Sequence, residues 1–442
     1  MNYEEALGYL YSFADFERAP PRDRKPFRLG PFRMLLRRIG DPQTRYPCVH
    51  VAGTKGKGSV AAMIERVLRE AGYVTGLYTS PHLEDVRERI QVSGRWIPRA
   101  SFSRGLAILR GVVDPSTIGG YRTTFELLTA LAFHEFAEQA VDVAVVETGL
   151  GGLLDSTNVI RPAVAVITPV FVEHARILGR TLRQVAYQKA GIIKRGAPVV
   201  SARQNPSVRD VIEQRCESVD SPLTLVGRDV RVRFRSADKQ GQWLDIDTPR
   251  VRHRELRLAL HGRHQTGNAG VAVAAAEALE GAGFCVPGGA VRTGLEAVRW
   301  PGRLETVQGS PRVLLDGAHT RSSLSMLSRY LGEAAWLPPH DQRAVVFGAS
   351  KDKPLGTMLA AVLRMGRHVI LTKSSHPKAA SACELVQRVG TRGGGAVVAC
   401  EPAAEALRLA RALATPEGLV VVTGSLYLVG DLRGKMYDGT GA

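Results

Sequence analysis

No stretch of the 442 residues is apolar for long enough to span a bilayer, and neither an internal repeat nor a low-complexity tract is present. Cysteine is scarce. Cys48, Cys216, Cys285, Cys383 and Cys400 are widely spaced and odd in number. That excludes a disulfide framework or a zinc knuckle and points to a reducing compartment. Aromatic residues make up only 6% of the chain. The two arginine-dense runs, 18–38 and 228–263, hold only Phe27 and Phe32, and Phe234 and Trp243. Such thin interleaving argues against a single-strand nucleic-acid binder. The net charge of +17 fits a solvated basic surface that favours small polyanions. The opening, Met1-Asn2-Tyr3-Glu4-Glu5, is not a signal-peptide pattern. The expectation is a cytoplasmic protein with no membrane partner and no specific nucleic-acid partner.

What the chain does have is Gly53-Thr54-Lys55-Gly56-Lys57-Gly58-Ser59 between a strand-like and a helix-like segment. Residues 48–52 form a short apolar run of the kind that makes a buried parallel strand. Val60, Met63, Ile64, Val67, Leu68 and Ala71 then fall at helical spacing, with Gly72 as a stop. A glycine-rich turn in that place leaves backbone N–H groups facing a phosphate, and the helix dipole adds to the attraction. Lys57 would reach the β/γ-phosphates, and the Ser59 hydroxyl a Mg²⁺ ion. The spacing departs from the usual P-loop, with two residues rather than four before the Gly-Lys pair. The strand–turn–helix context favours a nucleoside triphosphate site over a mere surface turn.

Elsewhere strands alternate with helices. Strands are expected at 74–78, 142–147, 163–167, 198–201, 312–315, 344–347, 368–372, 396–399 and 419–422. Helical patterns cover 124–140, 181–190, 268–281 and 402–414. This predicts an α/β fold with parallel sheets covered on both faces. Residues 228–260 read as a small antiparallel flap, and Pro301-Gly302 as a hinge. The expected division is an ATPase-like domain over 1–299 and a smaller α/β domain over 300–442.

Ligands bind at strand ends in such sheets. Glu147 closes an apolar strand before Thr148-Gly149-Leu150-Gly151-Gly152, well placed for Mg²⁺ or, alternatively, for a loop or cap. Ser80, His82 and His174 also follow strands, and singly each reads first as a structural polar residue. Asp155 and Asn158 could support the glycine loop as readily as touch a substrate. Lys189 on its own reads as a solvated helix-end lysine.

Taken together, ordered blocks resemble the folylpolyglutamate and dihydrofolate synthases of the Mur ligase superfamily. They run from His50-Val51-Ala52-Gly53-Thr54 to Ser59, then Thr79-Ser80-Pro81-His82-Leu83, Glu88-Arg89-Ile90 and Thr124-Phe125-Glu126. Glu147 to Gly152, Asp155 to Asn158, Lys189 to Ile192, His264-Gln265, Asn268-Ala269 and Trp300 to Glu305 follow. Asp316 to His319, Ser375-His376-Pro377 and Thr423 to Tyr427 complete the set. The resemblance implies a Mur ligase-like, P-loop-containing ATPase domain followed by a Rossmann-like C-terminal domain. It implies ATP-dependent transfer of L-glutamate to a folate, or to dihydropteroate, through an acyl phosphate. By the same resemblance Ser80, Glu147 and His174 are metal ligands, with Ser59 near the first of two Mg²⁺ ions. Gly53, Thr54, Gly56, Lys57, Gly58 and Ser59 cradle the phosphates. Lys189 is carbamylated, Asn268, Arg303 and Asp316 contact ATP, and His319 and Ser425 receive glutamate. The catalytic set is Lys57, Glu147, His174 and Lys189, in a monomer.

Six positions depart from the family pattern. Lys55 stands where most members carry Asn, Leu153 for Arg and Glu173 for Asp, Thr320-Arg321 for Asn-Pro, and Lys378 for Arg. They leave open a Mur-type ligase for another carboxylate or amino acid. A non-catalytic ATP- or nucleic-acid-binding protein is the third reading. The presence of Lys57, Glu147, His174 and Lys189 counts against it.

Overall fold

The computed structural model describes residues 1–17, 28–113, 122–389 and 396–437. The first part of the first arginine-dense run, 18–27 with Phe27, therefore lies outside the described residues.

The first sheet contains β1 (Cys48–Ala52), β2 (Thr75–Tyr78), β3 (Ile90–Val92), β4 (Arg95–Trp96), β5 (Val143–Glu147), β6 (Val164–Ile167), β7 (Val199–Ser201) and β8 (Leu223–Leu225). Their order is β4-β3-β2-β5-β1-β6-β7-β8. The six strands from β2 to β8 in that order are parallel, and β3 and β4 add an antiparallel edge. β1 is central, so both its faces are covered. Val49 and Val51 pack into the core shared with the helix Lys57–Glu70 and the helix Arg263–Ala278. Cys48 faces the cluster built by Arg99–Val112 and Thr124–Glu138.

The alternating segment forms a three-stranded antiparallel sheet of β9 (Arg231–Asp238), β10 (Gly241–Asp247) and β11 (Arg252–Leu258), in the order β11-β10-β9. Its apolar face, with Val232, Leu244, Ile246, Leu256 and Leu258, joins the core beneath Arg263–Ala278. That helix starts five residues earlier than the apolar spacing predicts, because Thr266 and Gly267 interrupt its first turns. At its far end the chain tightens into the 3₁₀ turn Leu279–Ala282.

The second large sheet holds β12 (Glu305–Val307), β13 (Arg312–Leu315), β14 (Arg343–Phe347), β15 (His368–Leu371), β16 (Ala396–Ala399) and β17 (Leu419–Thr423). Its order is β12-β13-β17-β14-β15-β16, parallel apart from β12. The two large sheets meet along a tight seam. Trp300 packs where a Cβ on Gly58 would stand, 2.7 Å from its ring. Arg433 of the last helix, Leu426–Tyr437, pairs with Glu84 at 2.6 Å and Glu305 at 3.0 Å.

Candidate active site between the two sheets

The carboxyl ends of β1, β2, β5 and β6 and those of β13 and β17 open onto one cavity of about 950 Å³. At its centre is the turn after β1. Gly56 has φ +85 and caps the helix Lys57–Glu70. A Cβ there would lie 2.7 Å from Asn268 Oδ1, so the position needs glycine for both its backbone and its neighbour. The turn is stapled to the segment after β6. Thr54 N and Lys55 N donate to Pro169 O at 2.9 and 3.2 Å. Thr54 Oγ1 donates to Phe171 O at 3.1 Å and accepts from Phe171 N at 3.0 Å.

Gln265 Nε2 donates to Ser59 Oγ at 3.2 Å, while its Oε1 accepts from Asn268 Nδ2 at 2.8 Å. The helix Arg263–Ala278 therefore orients the Ser59 hydroxyl. Gln265 had no assigned role in the sequence, although its place one turn before Asn268 was the available cue. Glu147 is buried at the tip of β5, accepts from Ser80 N at 3.2 Å and lies 3.5 Å from Lys57 Nζ. Burial raises its pKa, and Lys57 opposes the rise. His174 has φ 52 and starts the short helix Ala175–Leu178. Burial lowers its pKa, against the pull of Glu173.

Lys189, at the end of the helix Leu182–Ala190, is only 4% exposed. Its reading as a solvated lysine is therefore overturned. Nζ donates to Gly53 O at 2.6 Å, just behind the phosphate turn. Burial and the nearby Lys57 cation push its pKa down to about 7. Asp155 and Asn158 hold the glycine loop. Asp155 accepts from Leu150 N at 2.7 Å, and Asn158 Nδ2 donates to Leu153 O and Gly191 O at 2.9 and 3.2 Å. His50 is a buried neutral ring against Thr157, with its pKa pushed down to about 3 by burial.

The second sheet supplies the opposite wall. Asp316 follows β13 and accepts from Leu304 N and Ala318 N, both at 3.0 Å. Burial lowers the pKa of Arg303, against the pull of the Asp316 and Glu147 carboxylates. Gly424 N donates to Ala318 O at 2.9 Å, bringing Ser425 beside His319. His319 Nδ1 bonds Gly317 O at 2.9 Å, and burial takes its pKa down to about 4. Thr54, Gly56, Lys57, Gly58, Ser59, Ser80, Glu147, His174, Asn268, Arg303, Asp316, His319 and Ser425 all line the cavity; Gly53 and Lys189 lie outside that lining.

Of the departures, Lys55, Glu173, Thr320 and Lys378 also line it. Thr320 caps the helix Arg321–Glu333 through Ser323 N, a role worth about 1 kcal/mol. Leu153 does not: it lines a second cavity of about 660 Å³ beside the helix Leu182–Ala190. A further part of the main cavity carried no assigned role in the sequence. There Arg89 makes a two-pronged bond to Glu17 at 2.8 and 2.6 Å and donates from Nε to His82 Nδ1 at 2.8 Å. Glu88-Arg89-Ile90 marked that place without revealing the partner 72 residues away.

Among the described residues no three His, Cys, Asp or Glu side chains cluster as a protein-only metal cage. Ser59, Ser80, Glu147 and His174 instead line the cavity beside the phosphate turn, and Mg²⁺ is a cation that keeps several waters and takes substrate phosphates alongside one or two carboxylates.

The phosphate turn and the parallel sheet around it are matched by the family model for the Mur ligase middle domain over residues 51–276. The model for the dihydrofolate synthetase C-terminal domain matches residues 303–435. A Bacillus subtilis dihydrofolate synthase/folylpolyglutamate synthase is 32% identical over 440 residues, covering 98% of this chain and 99% of the relative. A Mycobacterium tuberculosis relative of the same description is 35% identical over 432 residues, covering 90% and 88%. Among solved structures, M. tuberculosis folylpolyglutamate synthase complexed with ADP superposes with a TM-score of 0.88 at 32% identity, covering 98% of both chains. E. coli FolC in complex with DHPP and ADP gives 0.85 at 26% identity, covering 100% of this chain and 99% of that one. The chain belongs to the folylpolyglutamate synthase/dihydrofolate synthase family of Mur-type ligases.

Proposed function

We propose that this chain is an ATP-dependent ligase that adds L-glutamate to a folate, with dihydropteroate as a second acceptor. The carrying observation is the facing of two walls across one cavity. The phosphate turn with Lys57 and Glu147 lies on one side, and Arg303, Asp316, His319 and Ser425 on the other. ATP would bind on the turn, with Asn268 and Arg303 as nucleotide contacts and Asp316 on the ribose side. The acceptor carboxylate attacks the γ-phosphorus, ADP leaves, and an acyl phosphate forms. The glutamate amine, brought by His319 and Ser425, attacks the acyl carbon and expels phosphate. Lys57 and Arg303 place positive charge where two anions must approach. Closing the cavity keeps water from the acyl phosphate. His319, held neutral by burial, offers its free ring nitrogen for a hydrogen bond at the glutamate amine.

Ser59, Ser80, Glu147 and His174 would hold Mg²⁺, which neutralises phosphate charge when bound at its two sites. Lys189 is the residue that would be carbamylated. Its amine is substantially neutral near pH 7, as attack on CO₂ requires, and the carbamate nitrogen keeps one N–H for Gly53 O. The division we adopt is 1–299 for the nucleotide unit and 300–442 for the glutamate unit. We further take the chain to work as a cytoplasmic monomer, an assignment that its five free cysteines support as regards compartment. Internal pairing of flap arginines, Arg235 with Asp245 and Arg257 with Glu296, supports the absence of a specific nucleic-acid partner.

The test is product mass after incubation with ATP, Mg²⁺, L-glutamate and either a reduced folate or dihydropteroate. A glutamyl increment on both acceptors is expected. An increment on neither, with ATP bound, would redirect the reading to another acceptor or amino acid.

A further inference from the structure

Two positions that depart from the family pattern, Lys55 and Glu173, meet each other. Lys55 Nζ lies 2.6 Å from Glu173 Oε1, although 118 positions separate them in the chain. Their backbones are already fastened together, since Lys55 N donates to Pro169 O and Thr54 is bonded twice to Phe171. The side-chain pair is therefore not needed to hold the turn in place. It is also only partly buried, with 29% and 26% of the two side chains exposed to the cavity. Around it, Lys57 and Lys353 act on Lys55 as like charges, while His174 and His319 face Glu173. Without Glu173, three lysines would crowd one corner of an anion site.

We infer that Glu173 is a resident counterion for the phosphate turn, and that a bound nucleotide's phosphate takes its place on Lys55. The exchange needs only rotation about the Lys55 side-chain bonds, and it trades one charge-assisted bond for another. Lys55 becomes a second phosphate-binding lysine beside Lys57, and Glu173 competes with the ligand for it. This rests on the nucleotide reading given above.

The experiment is calorimetric titration of the full chain with AMPPCP in metal-free buffer, alongside thermal unfolding without ligand. Wild type should bind. Lys55→Met should weaken binding roughly tenfold, and Glu173→Gln should tighten it by a similar factor. Lys55→Arg should stay close to wild type. In the double variant the gain from Glu173→Gln should vanish, because there is no lysine left to release. Without ligand, Glu173→Gln should melt below wild type, because it leaves the Lys55, Lys57 and Lys353 charges unopposed in the empty protein. A Glu173→Gln variant that binds AMPPCP no tighter than wild type would overturn the inference. So would an equal gain in the Lys55→Met background, which would make Glu173 a distant repulsive charge only. No binding by wild type would instead overturn the nucleotide reading, and the inference with it.

Discussion

Replacing Lys189 by Met tests how the protein treats a buried amine. The side chain becomes one atom shorter and loses its charge. Burial and Lys57 hold the ammonium's pKa at about 7 instead of 10.5. At about 1.4 kcal/mol for each power of ten, the protonated form works against folding by about 5 kcal/mol. Because the folded pKa lies below the unfolded one, the penalty is present in full below about pH 7 and fades as pH rises toward 10.5. Between pH 7 and pH 9 the wild type should therefore gain about 2 kcal/mol on the Met variant. Loss of the bond to Gly53 O leaves a carbonyl unpaired and removes about 1–3 kcal/mol from the variant, but independently of pH. Urea unfolding of both proteins at the two pH values, in buffer stripped of CO₂, measures the change. A difference in stability that stays constant from pH 7 to pH 9 would refute the idea that burial holds this amine near neutrality. In the same variant ligation should be lost while AMPPCP binding persists; full ligation would remove the carbamate assignment.

Three further outcomes are expected. Glu147→Gln should raise the Mg²⁺ concentration needed for half-maximal turnover about tenfold, read from an activity titration, since it removes the buried carboxylate at the tip of β5. Gly56→Ala should weaken AMPPCP binding at least tenfold and lower stability by about 1–2 kcal/mol, because the alanine must keep φ +85 and displace Asn268. Gly430→Ala places a Cβ 2.0 Å from the Leu83 carbonyl oxygen across the seam. X-ray scattering should show the two sheets shifted apart, with ligation reduced and AMPPCP binding within about threefold of wild type.

The sequence made the alternation of strands and helices legible because the central strands are buried on both faces. Val143 to Val146 and Leu419 to Val422 read as continuous apolar runs. The flap was equally plain from its period of two. Four short strands at or near the edges were not: β3, β4, β8 and β12 are two or three residues long, too short for any periodicity to appear, whereas the edge strand β16 was expected at 396–399. Motif positions were visible one at a time, but pairings made by the fold were not. Nothing near Lys55 announces Glu173, and nothing near Gly58 announces Trp300. Lys189 was misread for the same reason, because its burial comes from the phosphate turn and not from its own helix. Leu153 directly follows Gly151-Gly152, yet the turn of the loop carries it to the neighbouring cavity.

The staples between the phosphate turn and the segment after β6 also bear on how fast and with what heat a ligand is taken up. Four hydrogen bonds fix Thr54 and Lys55 before any anion arrives. The chain entropy of ordering that loop, about 1–2 kcal/mol for each residue, is thus met during folding and not during binding. Capture of a nucleotide then resembles entry into a finished mould, its rate set by diffusion and cleft opening. Its heat-capacity change reflects the apolar surface covered on closure and carries no contribution from loop folding.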